Sequence, residues 1–108
     1  MIVVTTENIP GYRVTRVLGQ TFGLTVRTRG VGGNLAAQLR GFVGGEVKSY
    51  TKLLEDARRQ AVDRLVQSAT AAGANAVVMM RFDSSEIGQS MSEIVAYGSA
   101  VFVEPVQQ

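Results

Sequence analysis

The chain has 108 residues, enough for one hydrophobic core and too few for two. Hydrophobic residues make up 45%, charged residues 19%, and the net charge of +2 comes from cations interspersed with carboxylates. That balance excludes a disordered chain and lacks the clustered basic stripe of a nucleic-acid binder. Cys and His are both absent, which excludes disulfides, nitrogen/sulfur zinc sites, thiol chemistry and histidine acid–base catalysis.

The first residues, Met1 to Thr6, read as a short β-branched strand without the cationic start of a signal peptide. Nothing in the chain approaches the roughly 20 apolar residues of a membrane helix, so a cytoplasmic protein with no membrane partner is expected. Asn8-Ile9-Pro10-Gly11 is turn chemistry, because Pro fixes φ and Gly accepts a positive one. From Tyr12 the pattern alternates to about Val26, with Gly19 and Gly23 inside the run. Interior glycines mark a bulge or a close backbone approach, which predicts a long, bent strand.

Gly30-Val31-Gly32-Gly33-Asn34 breaks the chain, and Leu35, Leu39 and Phe42 then have the spacing of a short amphipathic helix ending near Gly44-Gly45. A longer helix follows. Its apolar stripe is Tyr50, Leu54, Ala57, Ala61, Leu65 and Ala72, widened by Leu53, Val62, Val66 and Ala69. Glu55 with Arg59 and Lys52 with Asp56 are four apart on the polar side, Ser49 can cap the start, and Gly73 ends the helix. Asn75 to Asp83 and Met91 to Val103 read as two strands of an antiparallel hairpin, joined by a polar loop from Ser84 to Ser90.

One helix can cover one face of such a sheet. Val77 and Met79 alternate with Ala76, Val78, Met80 and Phe82, so both faces of that strand are apolar. A domain of this size cannot cover both by itself, and a second copy of the chain is the expected cover.

Three groups of residues carry candidate chemistry. Asp83, Glu86 and Glu93 flank the hairpin; folded symmetrically about Gly88, it sets Asp83 opposite Glu93, with side chains about 5 Å apart. Facing carboxylates suit a hard divalent cation such as Mg²⁺, Ca²⁺ or Mn²⁺, and the competing reading is an ion pair between Arg81 and Glu93. Arg27 and Arg29 precede Gly32, Gly33 and Asn34, where helix N–H groups and guanidinium groups would favour a phosphate or carboxylate. This is neither a Walker A loop nor a dinucleotide fingerprint, and the glycines also serve simply to turn the chain. Glu46 and Tyr50, four apart, would share one helix face and line a pocket between subunits, unless Gly41 to Glu46 only forms a corner. Met79 and Met80 point to opposite faces and read as core filler rather than one metal site. No nucleophile stands at a recognisable spacing from a base, so an enzyme is not expected.

The blocks Thr5-Thr6-Glu7-Asn8-Ile9-Pro10-Gly11, Gly44-Gly45-Glu46, Gly73-Ala74-Asn75-Ala76-Val77-Val78, Arg81-Phe82-Asp83-Ser84-Ser85-Glu86-Ile87 and Glu93-Ile94-Val95-Ala96-Tyr97-Gly98-Ser99-Ala100-Val101 together resemble the YbjQ-like family over nearly the whole chain. The resemblance implies a single α+β domain over residues 1–108, with a β-α-β-β core of the dodecin-like subunit type. It also implies assembly into a ring-shaped homo-oligomer, a pentamer that in some members stacks further. It carries a heavy-metal-binding label, although soft metals prefer thiolate, thioether or imidazole and this chain has four Met and neither Cys nor His. A non-enzymatic oligomer binding a small ligand or divalent metal at subunit boundaries is therefore the expected function. The alternatives are a protein-interaction module and a carboxylate enzyme using a hard metal.

Overall fold

The computed structural model of the protein describes residues 1–28, 48–87 and 91–107, with the backbone alone at Arg27, Thr28, Lys48, Ser49, Tyr50 and Ile87. Four strands and a helix follow in chain order: β1 (Ile2–Val3), β2 (Tyr12–Thr28), α1 (Lys48–Ala71), β3 (Ala76–Ile87) and β4 (Met91–Pro105). The strands form one mixed sheet in the order β1-β3-β4-β2. β1 is parallel to β3, while β4 is antiparallel to both β3 and β2. The short helix expected after Asn34 lies outside the described residues. No helix among the described residues is long and apolar enough to cross a membrane.

Local chemistry sets the boundaries. The Tyr12 amide donates to the Ile9 carbonyl at 3.0 Å across Pro10-Gly11, and Gly11 has φ 87°, as a type II turn requires. Gly73, with φ 93°, ends α1 as expected. Asn75 then ties the helix exit to β4: its side-chain amide donates to the Val103 carbonyl at 2.9 Å and accepts from the Val103 amide at 2.8 Å.

α1 lies on one face of the sheet. Ala57, Ala61, Leu65 and Ala69, four apart, are at most 1% exposed and pack with Val77, Ile94, Ala96 and Ala100. The stripe is shorter than its sequence suggests, since Leu54 is 40% exposed and Ala72 lies beyond the helix. On the polar side Arg59 pairs with Asp56 at 3.5 Å, three residues away, instead of with Glu55. The two interior glycines of β2 divide the predicted roles between them. Gly19, φ 112°, sits at a register shift, and Gly23 passes beneath the α1 backbone. A second cluster (Ala76, Val78, Val101 and Val103) occupies the other face at one end, covered by Ile2, Val4 and Ile9.

Two expectations for the hairpin are corrected. β3 runs to Ile87 and β4 starts at Met91, so the predicted loop from Ser84 is mostly strand. Its polar residues have partners across the ladder, and pairing overrides their weak strand preference. Strict alternation also fails at Met79 and Met80, where the register shifts between Val78 and Arg81. Met79 takes φ 56° and is 42% exposed, whereas Met80 packs against the core beneath α1. Met79 is therefore not core filler.

Candidate functional site

Register decides which side chains meet. Across the sheet, Thr25, Ile94 and Ser84 form one row, while Leu24, Val95 and Asp83 form the next. Side chains of adjacent rows point to opposite faces. Thr25 and Ile94 are buried, so their row faces α1; the row of Asp83 faces away from it. The expected meeting of Asp83 and Glu93 does not occur, because Asp83 pairs with Val95 and Glu93 with Ser85, whose hydroxyl reaches Glu93 Oε2 at 3.4 Å. The ladder is symmetric about position 89 and not Gly88, which moves each partner by two residues, so that Asp83 and Glu93 are diagonal neighbours on the open face, about 7–8 Å apart. Glu86, one residue on from Ser85, belongs to the opposite side. Among the described residues no three Asp, Glu, His or Cys side chains are grouped to hold a metal ion. Nor does Arg81 pair with Glu93; its guanidinium donates to the carbonyls of Thr5 and Met80 at 2.7 and 2.9 Å.

Arg29, Gly32, Gly33, Asn34 and Glu46 lie outside the described residues, and of Arg27 and Tyr50 the backbone alone is described. Arg27 pairs with Ser92 in the ladder, and Tyr50 precedes Thr51 in the first turns of α1. Both positions adjoin a groove of about 610 Å³ between the start of α1 and the far end of the hairpin. α1 contributes Thr51, Leu54, Glu55 and Arg58; the strands contribute Ser84, Ser85, Glu86, Ser92, Glu93 and Ile94. Of the predicted carboxylates, Glu86 shares the α1 side of the sheet with this groove; Glu93 borders it but turns its side chain to the open face, and Asp83 does not border it. Arg58 stacks over the Phe82 ring at 5.3 Å, which orients its guanidinium. Hydroxyls, carboxylates and one oriented cation can hold a small polar molecule by hydrogen bonds. Ser84 and Ser92 escaped sequence reading because the face they share is visible only once the register is known.

The open face carries a second feature. On β2 the usual pattern is inverted: Thr21 and Thr25 are each 2% exposed beneath α1, whereas Phe22, Leu24 and Val26 are 55%, 44% and 47% exposed. Val95 and Tyr97 lie beside them on β4, Tyr97 40% exposed. A contiguous apolar surface of this kind on a small domain marks a place of contact.

These features define a small α+β domain: one long helix on one face of a mixed four-stranded sheet and, among the described residues, an exposed apolar strip on the other. Residues 1–104 match the model of a family described as "Putative heavy-metal-binding", and the chain belongs to this YbjQ-like family. It is 66% identical over 107 residues to a UPF0145 protein of Bradyrhizobium sp. (strain ORS 278), covering 99% of this chain and 96% of that one. A UPF0145 protein of Picrophilus torridus is 58% identical over 107 residues, with 99% and 91% covered. The fold is similar to the crystal structure of a protein of unknown function of the DUF74 family from Pediococcus pentosaceus. That likeness has a TM-score of 0.65 at 10% identity, over 96% of this chain and 98% of that one.

The donor set does not fit the soft metal that the family description suggests. The chain has no thiol and no imidazole, and Met79 and Met80 turn to different surroundings on either side of the bulge.

Proposed function

We propose that the chain works as a ring-shaped homo-oligomer, a pentamer of dodecin-like subunits, that binds a small polar ligand at the boundaries between copies and performs no catalysis. The observation that carries this reading is the inverted pattern on β2, where Phe22, Leu24 and Val26 face outward and Thr21 and Thr25 face the helix. Covering the exposed half of each apolar side chain is worth about 1 kcal/mol, and a second copy is the partner present at every concentration of the protein. The ligand would occupy the groove of Arg58, Ser84, Glu86 and Ser92. This groove opens beside the β3 edge of the sheet, where a neighbouring copy would complete it.

The test is native mass spectrometry of untagged protein prepared without chelator. One discrete oligomer, five copies with a constant added mass per copy, is the expected result, and Phe22→Asp should shift it to monomer. A folded monomer at nanomolar concentration would overturn the assembly. A discrete oligomer that stays bare after metabolites and divalent metals are offered would instead favour the protein-interaction reading.

A further inference from the structure

Among the described residues the sheet has two open edges, and they are level with each other. β2 is the outermost strand on one side, 17 residues long. On the other side β1 pairs with β3 only at Ala76 and Val77, and Val4 and Thr6 extend the contact as far as Met79 and Met80. From Arg81 to Ile87 no strand lies outside β3 among the described residues. The free stretch of β3 and the second half of β2 share rows, Leu24 with Asp83 and Val26 with Ser85, across β4. Both strands are antiparallel to β4, so they run in the same direction.

The edges also match in hydrogen bonding. Along a strand, the N–H and C=O of one residue point to one edge, and those of the next residue to the other. The Leu24 carbonyl accepts from the Arg64 guanidinium, a side chain reaching over from α1, so Leu24 presents its groups outward. The Ser84 amide donates to its neighbour Asp83 Oδ1 at 2.9 Å, so the outward groups of β3 belong to Phe82, Ser84 and Glu86. In a parallel ladder with Leu24 level with Asp83, the bonds required are Ser84 N–H to the Leu24 carbonyl and Leu24 N–H to the Phe82 carbonyl. The groups facing outward are the ones this ladder needs.

We propose that these edges pair between copies: the second half of β2 lies parallel to β3 of the next copy, Leu24 beside Asp83. This inference rests on the assembly reading above and adds a strand-to-strand contact to the burial of the apolar face described there. Arg64 and Asp83 hold the acceptor and the donor until the neighbouring strand displaces them. The stretch Gln20 to Val26 has no charge and no proline, and the register shifts of β2 are confined to Val14–Gly19. Within its own sequence it therefore lacks the charges, prolines and bulges that keep edge strands from pairing. Arg81, Asp83 and Glu86 discourage the β3 edge from pairing with its own copy. Because the two edges differ, the contact repeats head to tail, the arrangement from which a closed ring is built.

The absence of Cys makes the test clean. In the double variant L24C/D83C, the two positions within one chain are separated by β4, roughly 10 Å apart, beyond the reach of a disulfide. Between paired edges they are about 5 Å apart and within reach. Mild oxidation of the oligomer should convert most of the chain into a covalent ladder on denaturing gels, reversed by reductant. L24C alone and D83C alone should stay monomeric on the gel. Covalent dimers from L24C alone would mean that β2 pairs with its own copy, and would overturn the proposal. An oligomer of the double variant that gives no ladder would overturn it too, leaving the assembly reading intact. If the unmodified protein is monomeric by native mass spectrometry, both readings fail together.

Discussion

Gly23 on β2 and Ala61 on α1 meet backbone to backbone: a Cβ on Gly23 would run into the Ala61 carbonyl oxygen and the Leu65 amide nitrogen. Neither atom can give way without moving the helix. Gly23→Ala should therefore cost about 3 kcal/mol or more, the upper end for an overpacked site. Urea unfolding at fixed protein concentration measures it, and a loss under 1 kcal/mol would mean that α1 does not rest on β2 at this point.

Thr21 and Thr25 offer a matched pair beneath the same helix. Both are 2% exposed, but Thr21 Oγ1 donates to the Leu65 carbonyl at 3.3 Å, whereas Thr25 Oγ1 has no partner among the described residues. A buried hydroxyl without a partner costs about 1–3 kcal/mol relative to an apolar group of the same shape. Thr25→Val should accordingly raise stability by about 1 kcal/mol, while Thr21→Val should lower it by about 1 kcal/mol. Thermal unfolding of the two variants checks the difference in sign.

Asn75 acts as one more rung of the sheet through its side chain, accepting from and donating to Val103. Asn75→Ala removes two bonds and leaves the buried Val103 groups unsatisfied, for a loss of about 2 kcal/mol. Asn75→Asp keeps the acceptor but puts a carboxylate beside the Val103 carbonyl, so it should be no better than Ala. Full stability in the Asp variant would contradict the assigned amide orientation.

Much of the architecture was legible in the residues. The 3.6-residue spacing of Ala57, Ala61, Leu65 and Ala69, with Gly73 after them, specifies α1 almost to its end. The glycines of β2 announced a bulge and a close approach, and one of each is present. What could not be read was register. Whether Asp83 meets Glu93 or Val95 depends on a shift of two residues at the hairpin end, which no local pattern specifies. The groove followed the register out of sight, since Ser84 reads as a loop residue and Ser92, inside a predicted strand, has no assignable face until their ladder partners are known. The apolar face was inferred from the count of helices and strands, but its location on Phe22, Leu24 and Val26 was not.

The bulge at Met79 is the least expected backbone feature, and it makes a prediction with opposite signs for two substitutions. Gly98 lies where the register shifts, and a Cβ there would meet Val77 Cγ1 at 2.8 Å and the Val78 carbonyl at 3.0 Å. The missing side chain lets β3 fold its extra residue inward and sends Met79 into the left-handed region at φ 56°. That conformation costs an L-residue about 1–2 kcal/mol. Met79→Gly removes this cost and loses about 0.5–1 kcal/mol to the freer unfolded chain, so stability should stay level or rise slightly. The exposed side chain contributes little burial to offset this. Met79→Val places a β-branched residue at positive φ and should lower stability by about 1–2 kcal/mol. An ordinary extended strand would reverse the order, with Val favoured and Gly costing about 1 kcal/mol. Comparing the two variants by thermal unfolding at equal protein concentration therefore decides whether the chain is bulged at Met79.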